Sequence, residues 1–169
     1  MKTLYARRYV SPRTRPLTPD EVCTRNIAYA LKEPRRFPEA VEIAAEEMAL
    51  LIADEPRAVL VPIPTSKGDT AANRTLANEI ARRMNGTGRV IAALERRTPV
   101  ESSCQRRRRG LAGLTAAEHD FRRVGPMLPL WPLYLIDNVT TTGATLAAAV
   151  AVLGYGDALV VADAGPNHA

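Results

Sequence analysis

The chain has 169 residues, a net charge of +5 and an apolar content of 46%. That length suits a single domain, 1–169, with a substantial core, and no apolar run approaches the length of a membrane span. A basic balance fits an anionic small molecule, a nucleic acid or simple solubility, and selects none of them.

The N-terminal residues carry no secretory pattern, and Cys23 and Cys104 have neither metal nor redox spacing. Free thiols in a reducing cytoplasm are the expectation. His119 and His168 form no zinc pattern and no triad.

Lys2 to Val10 reads as an edge strand or an extended arm, within an N-terminal arm 1–17 that includes a basic, proline-containing turn at Ser11 to Pro16. Thr18-Pro19-Asp20-Glu21 is a capping box with proline at the first helical position, predicting a helix to about Leu31 that Pro34 ends. Pro38 opens a longer helix to about Asp54, broken at Glu55-Pro56. Ala58 to Pro64 reads as a buried strand, Thr65 to Asp69 as a loop, and Thr70 to Met84 as a helix stopped by Asn85-Gly86.

Arg89 to Leu94 is a second short strand. Residues 95–124 form a long arginine-heavy connection with one short helical piece near Thr115 to Asp120. Leu133 to Ile136 is a third core strand, Thr142 to Leu153 its helix and Ala158 to Ala162 a fourth strand. Strands alternating with helices predict a Rossmann-like parallel sheet flanked by helices, with right-handed crossovers. Ligands of such sheets lie beyond the carboxyl ends of the strands. That edge gathers the loop after Pro64, the connection after Leu94 and the turn after Ile136.

The last of these is the richest in chemistry. Tyr134 to Leu146 runs from an apolar strand through Asp137-Asn138 and Thr140-Thr141-Thr142-Gly143-Ala144-Thr145 into an alanine-rich helix. Such a turn presents backbone N–H groups, threonine hydroxyls and the positive end of a helix dipole to one point, an arrangement that favours a phosphate. Asp137 and Asn138 offer acceptors to sugar hydroxyls beside it. The motif reads as a grip on ribose 5-phosphate.

Ile136 to Leu146 resembles the phosphoribosyl pyrophosphate (PRPP) signature of type I phosphoribosyltransferases, in which a strand runs through two acids and two apolar residues into Thr-Thr-Gly-x-Thr. Two positions depart from it: Asn138 stands where the second carboxylate is usual, and Thr140 stands at an apolar place. The resemblance implies a small N-terminal hood, a long flexible loop and transfer of ribose 5-phosphate between pyrophosphate and a nucleobase or amine. It also implies PRPP and a small-molecule acceptor as partners, with Mg2+ held largely by the substrate. Asp137, Asn138 and Lys67 are the catalytic candidates, and Thr140 to Thr145 the 5-phosphate site.

Thr65-Ser66-Lys67-Gly68 stands where the family places its pyrophosphate loop, often with a strained or cis peptide. Residues 95–124 stand where it carries a mobile lid, so Arg96, Arg97, Arg106 and Arg107 are lid candidates. On the residues alone the four consecutive arginines Arg106 to Arg109 also fit a solvated loop or a nucleic-acid patch, although no aromatic stacking partners accompany them.

Asn73 ahead of Leu76-Ala77, and Ile27 to Lys32, are similar to the ComF-like branch of the family; by composition alone Asn73-Arg74 is a helix-surface pair. Asp163 is a candidate for the acceptor, or simply a turn residue. The chain closes soon after it, so a C-terminal hood is not expected, and a homodimer stays open. A non-catalytic PRPP or nucleotide binder, regulatory or related to DNA uptake, is the alternative reading. An arginine-rich nucleic-acid binder is the third.

Overall fold

The computed structural model describes residues 1–12 and 15–165, and of residues 103, 104 and 107 only the backbone. Five parallel strands make the main sheet: β1 (Thr3–Arg8), β2 (Ala58–Pro62), β3 (Gly88–Val90), β6 (Leu133–Thr140) and β7 (Asp157–Asp163), in the order β1-β7-β6-β2-β3. A separate antiparallel pair joins β4 (Leu94–Arg96) to β5 (Phe121–Arg123). The helices are α1 (Pro19–Ala30), α2 (Pro38–Leu50), α3 (Ala71–Arg83), α4 (Ser103–Arg108) and α5 (Ala144–Leu153). No helix among the described residues is long and apolar enough to cross a membrane.

Local chemistry accounts for most of these boundaries. Thr18 accepts from the Glu21 N–H while the Glu21 carboxylate accepts from the Thr18 N–H, so the capping box at α1 forms on both sides. Pro38 starts α2, and Asn85 and Gly86 stop α3 with φ values of 53° and 83°. Strand β2 is buried along its whole length, as a parallel strand covered on both faces must be.

The two faces carry separate cores. One joins Leu76, Ala77 and Ile80 of α3 and Ala44, Ala45 and Met48 of α2 to Leu60, Ile136 and Leu159. The other joins Leu146, Ala149 and Leu153 of α5 to Val59, Val61, Leu135 and Val160, with Leu94 and Phe121 of the antiparallel pair beside them. Helices α3 and α5 therefore lie on opposite faces. Strand β2 has β3 on one side and β6 on the other, so the chain reverses its direction of travel across the sheet between β2 and β6. That is the topological switch point, where a crevice opens beyond the strand ends.

Of the two readings of Lys2 to Val10, the edge strand holds: residues 3–8 pair with β7 from Thr3↔Ala158 to Arg8↔Asp163. One expected boundary moves. The third strand continues to Thr140 because backbone pairing with β7 persists through Val139↔Ala162 and Thr140↔Asp163. Residues 95–124 contain the end of β4, α4, the 3-10 turn Ala117–His119 and β5.

The turn into β7 sets a tight constraint. Gly156 has φ 130°, and a Cβ built there would lie 2.6 Å from Leu133 Cδ2. Strain and overlap act together, so Gly156→Ala should destabilise the fold by about 2 kcal/mol. Urea unfolding should show a lower midpoint with an unchanged slope.

Candidate functional site

At the switch point the loop after β2, the end of β6 and the turn into α5 emerge on one edge of the sheet. Asp137 lies near the end of β6, partly accessible, and its Oδ1 accepts from the Asn138 N–H at 2.8 Å and from Asn73 Nδ2 at 3.2 Å. Burial pushes its carboxyl up to about 6. The Asn138 N–H, the Asn73 amide and the nearby Arg96 charge oppose that rise without cancelling it.

Asn73 is buried, contrary to the surface reading of the Asn73-Arg74 pair, and Arg74 alone is exposed. Its amide also donates to the Ile63 carbonyl at 2.8 Å. One side chain in the first turn of α3 thus ties the end of β2 to the acid of β6.

Asn138 faces the other way. Side chains alternate along a strand, and Asn138 Nδ2 donates to the Ala28 carbonyl of α1 at 2.6 Å. Its Oδ1 is buried and has no hydrogen-bond partner among the described residues. The direction of this bond explains an amide at the position, because an ionised carboxylate has no proton to give a carbonyl.

The loop after β2 closes through Thr65 N–H to the Asp69 carbonyl at 2.8 Å and Gly68 N–H to the Thr65 carbonyl at 2.9 Å. Gly68 takes φ 87° and Lys67 is exposed at the tip. No cis peptide occurs among the described residues. The Ser66 carbonyl accepts from Val100 N–H at 2.8 Å, which fastens the following connection to this loop.

Arg96, one of the lid candidates, is buried. Its guanidinium donates from Nε to the Thr65 carbonyl at 2.9 Å, from Nη1 to the His119 carbonyl, and from Nη2 to His119 Nδ1 at 3.1 Å. It also sits over the Phe121 ring, 4.4 Å from the centroid. Arg97 is exposed and its N–H bonds the Asp120 carbonyl. Arg106 Nε donates to the Ala112 carbonyl at 2.7 Å, and Arg109 pairs with Glu101. The Arg107 side chain lies outside what is described.

At the phosphate turn, Gly143 caps α5 in the left-handed region with φ 72° and no side-chain cap bond. The N–H groups of the first turn have no partner within the helix. Thr142 Oγ1 reaches the Ala144 N–H at 3.4 Å. Thr140 is buried, Thr142 exposed, and Thr141 and Thr145 intermediate. Thr145 Oγ1 lies 3.4 Å from His119 Nε2.

Asp163 Oδ1 accepts from Gly165 N–H at 2.9 Å, a turn contact, and its carbonyl accepts from Tyr9 N–H at 2.8 Å beyond the end of β1. His168 and the rest of 166–169 lie outside the described residues.

No family model matches this chain, and no curated protein matches it. The site therefore stands on its own geometry. The strand order brings the loop 65–68, the end of β6 and the turn 141–145 to the carboxyl-end edge of the sheet at the switch point. Asn138 turns away from it to α1. Arg96, Asn73 and His119 brace it from behind. Of these three, Asn73 carried a sequence signal in its place ahead of Leu76-Ala77 and Arg96 one as a lid candidate, whereas His119 carried none.

Asn138→Asp should cost about 3 kcal/mol at pH 7, because a buried carboxylate would face the Ala28 carbonyl. The penalty should shrink in acid, where a protonated acid can donate to that carbonyl. Thermal melts of both proteins between pH 4 and 8 check this.

Proposed function

We propose that this chain is a cytoplasmic, PRPP-dependent phosphoribosyltransferase, moving ribose 5-phosphate between pyrophosphate and a nitrogenous acceptor, a nucleobase or an amine. One observation carries the reading. At the switch point of a parallel sheet, a carboxylate lies between two loops suited to anions, and the turn carrying the PRPP-like sequence is one of them.

In this reading Thr141 to Thr145 and the α5 N-terminus hold the 5-phosphate. The backbone of 65–68, with Lys67, holds the diphosphate. Asp137 accepts from a ribose hydroxyl and stabilises the positive charge that grows at the anomeric carbon as the diphosphate leaves with the bonding electrons. The acceptor nitrogen then bonds that carbon.

A divalent cation fits this donor set only if the substrate carries it. Among the described residues no group of three or more Asp, Glu, His or Cys gathers to hold an ion. Magnesium, when bound, would neutralise the diphosphate with hard oxygen ligands drawn mainly from the substrate and water.

The bond from Asn138 to Ala28 favours a second reading, a non-catalytic PRPP binder, since it removes the second acceptor from the ribose side. Release of pyrophosphate from Mg-PRPP across a panel of purines, pyrimidines and amines separates the two. Turnover supports the transferase, and binding without turnover supports the binder. If the chain neither binds nor turns over PRPP, both readings fail.

Asp137 links site and stability. Its folded value near 6 lies above the ordinary 3.8, so its contribution to stability is fully present below 3.8 and lost as pH rises through about 6. Asp137→Asn keeps both acceptor bonds and removes the buried charge. The variant should be about 2 kcal/mol more stable than wild type at pH 7.5, with the gain vanishing near pH 4. It should bind Mg-PRPP at least about tenfold more weakly. Calorimetric melts and titrations read both effects.

A further inference from the structure

We infer that His119 is a positioning residue of the phosphate grip: its ring donates to Thr145 Oγ1 and thereby commits the Thr145 hydroxyl hydrogen to an anionic ligand. This rests on the functional reading above and adds to it a residue from outside the PRPP-like motif.

The argument follows from what each partner can do. Arginine only donates, so His119 Nδ1, 3.1 Å from Arg96 Nη2, must accept. A neutral imidazole that accepts at Nδ1 carries its proton on Nε2. That nitrogen lies 3.4 Å from Thr145 Oγ1, so there it can only donate. A hydroxyl whose oxygen already accepts still has its own hydrogen to give.

The ring itself is held firmly. His119 is 4% exposed, and stacks on Phe121 with centroids 5.8 Å apart and planes 22° from parallel. The Arg96 guanidinium also binds the His119 carbonyl, so backbone and ring are fixed by one group. Burial first, and then the Arg96 charge, lower the imidazole below its ordinary value, which keeps it neutral.

The same guanidinium holds the Thr65 carbonyl. A continuous hydrogen-bonded bridge, Thr65–Arg96–His119–Thr145, therefore crosses behind Asp137 from one anion loop to the other. Preorganised donors of this kind cost no reorganisation when the anion arrives.

The test uses the full chain, ribose 5-phosphate and Mg-PRPP. Nitrogen-15 spectra of the histidine rings at pH 7.5 should show His119 neutral with its proton on Nε2; a proton on Nδ1, or a cationic ring, overturns the inference. His119→Phe should weaken ribose 5-phosphate binding about tenfold, the loss of one oriented bond to a charged group. His119→Gln, which can accept from Arg96 and donate to Thr145, should stay within about threefold.

Thr145→Val should lose as much as His119→Phe, and the double variant no more than either, because they remove one interaction. Wild-type affinity in His119→Phe, or additive losses in the double variant, overturns the inference while leaving the functional reading intact. Wild type that binds neither compound defeats the reading and the inference together. Should His119→Phe not fold, the ring spectra and His119→Gln decide: tenfold weaker binding by His119→Gln overturns the inference.

Discussion

The parallel pairing of β2 with β6 governs the rest of this molecule. It runs from Val59↔Leu133 to Pro62↔Ile136 and leaves both strands buried on two faces. A parallel pair cannot be closed by a short hairpin, so the chain must leave the sheet and return. It leaves β2 through α3 on one face and β6 through α5 on the other, and the two loops emerge side by side. The remaining strands extend that arrangement outward. The same pairing explains why residues 95–124 fold: α5 alone does not cover its face, and Leu94 and Phe121 complete the cover. A segment placed there has apolar work to do, whatever its charge suggests.

Electrostatics at the crevice depends on one acid and one buried cation. Arg96 spends its donors on two carbonyls and an imidazole, so its charge reaches Asp137 through space and moderates a carboxyl that burial has already raised. The carboxylate is thus held in a poorly solvated place, where its interaction with a cationic centre is strong. Stability is sacrificed for that placement, as is common where a site demands a strained or desolvated group.

What the sequence disclosed follows the range of the interactions. The capping box, the proline starts and the buried strands are local patterns, and each sits within a few residues of its expected place. The gathering of the polar loops at one sheet edge was legible too, because parallel strands bring their carboxyl ends together. The surface reading of Asn73 fails, and the partners of Arg96 and His119 were not foreseen, for one reason. Their partners lie far along the chain, 64 residues from Asn73 to Asp137, 31 from Arg96 to Thr65 and 26 from His119 to Thr145. An arginine in a basic stretch reads as solvated until its carbonyl partners are known, and a lone histidine reads as nothing at all. The long strand β6 was cut short because Asp137 and Asn138 interrupt its apolar run, whereas backbone pairing with β7 ignores side-chain polarity.

Asn138 shows how one strand serves two faces at once. Its neighbour Asp137 turns to the crevice and accepts; Asn138 turns to α1 and donates. A carboxylate could fill the first role but not the second while ionised. Two adjacent acids would also each raise the cost of ionising the other in a setting that already disfavours charge. The amide avoids both problems. It fastens α1 to the strand that carries Asp137 and adds no second charge beside it.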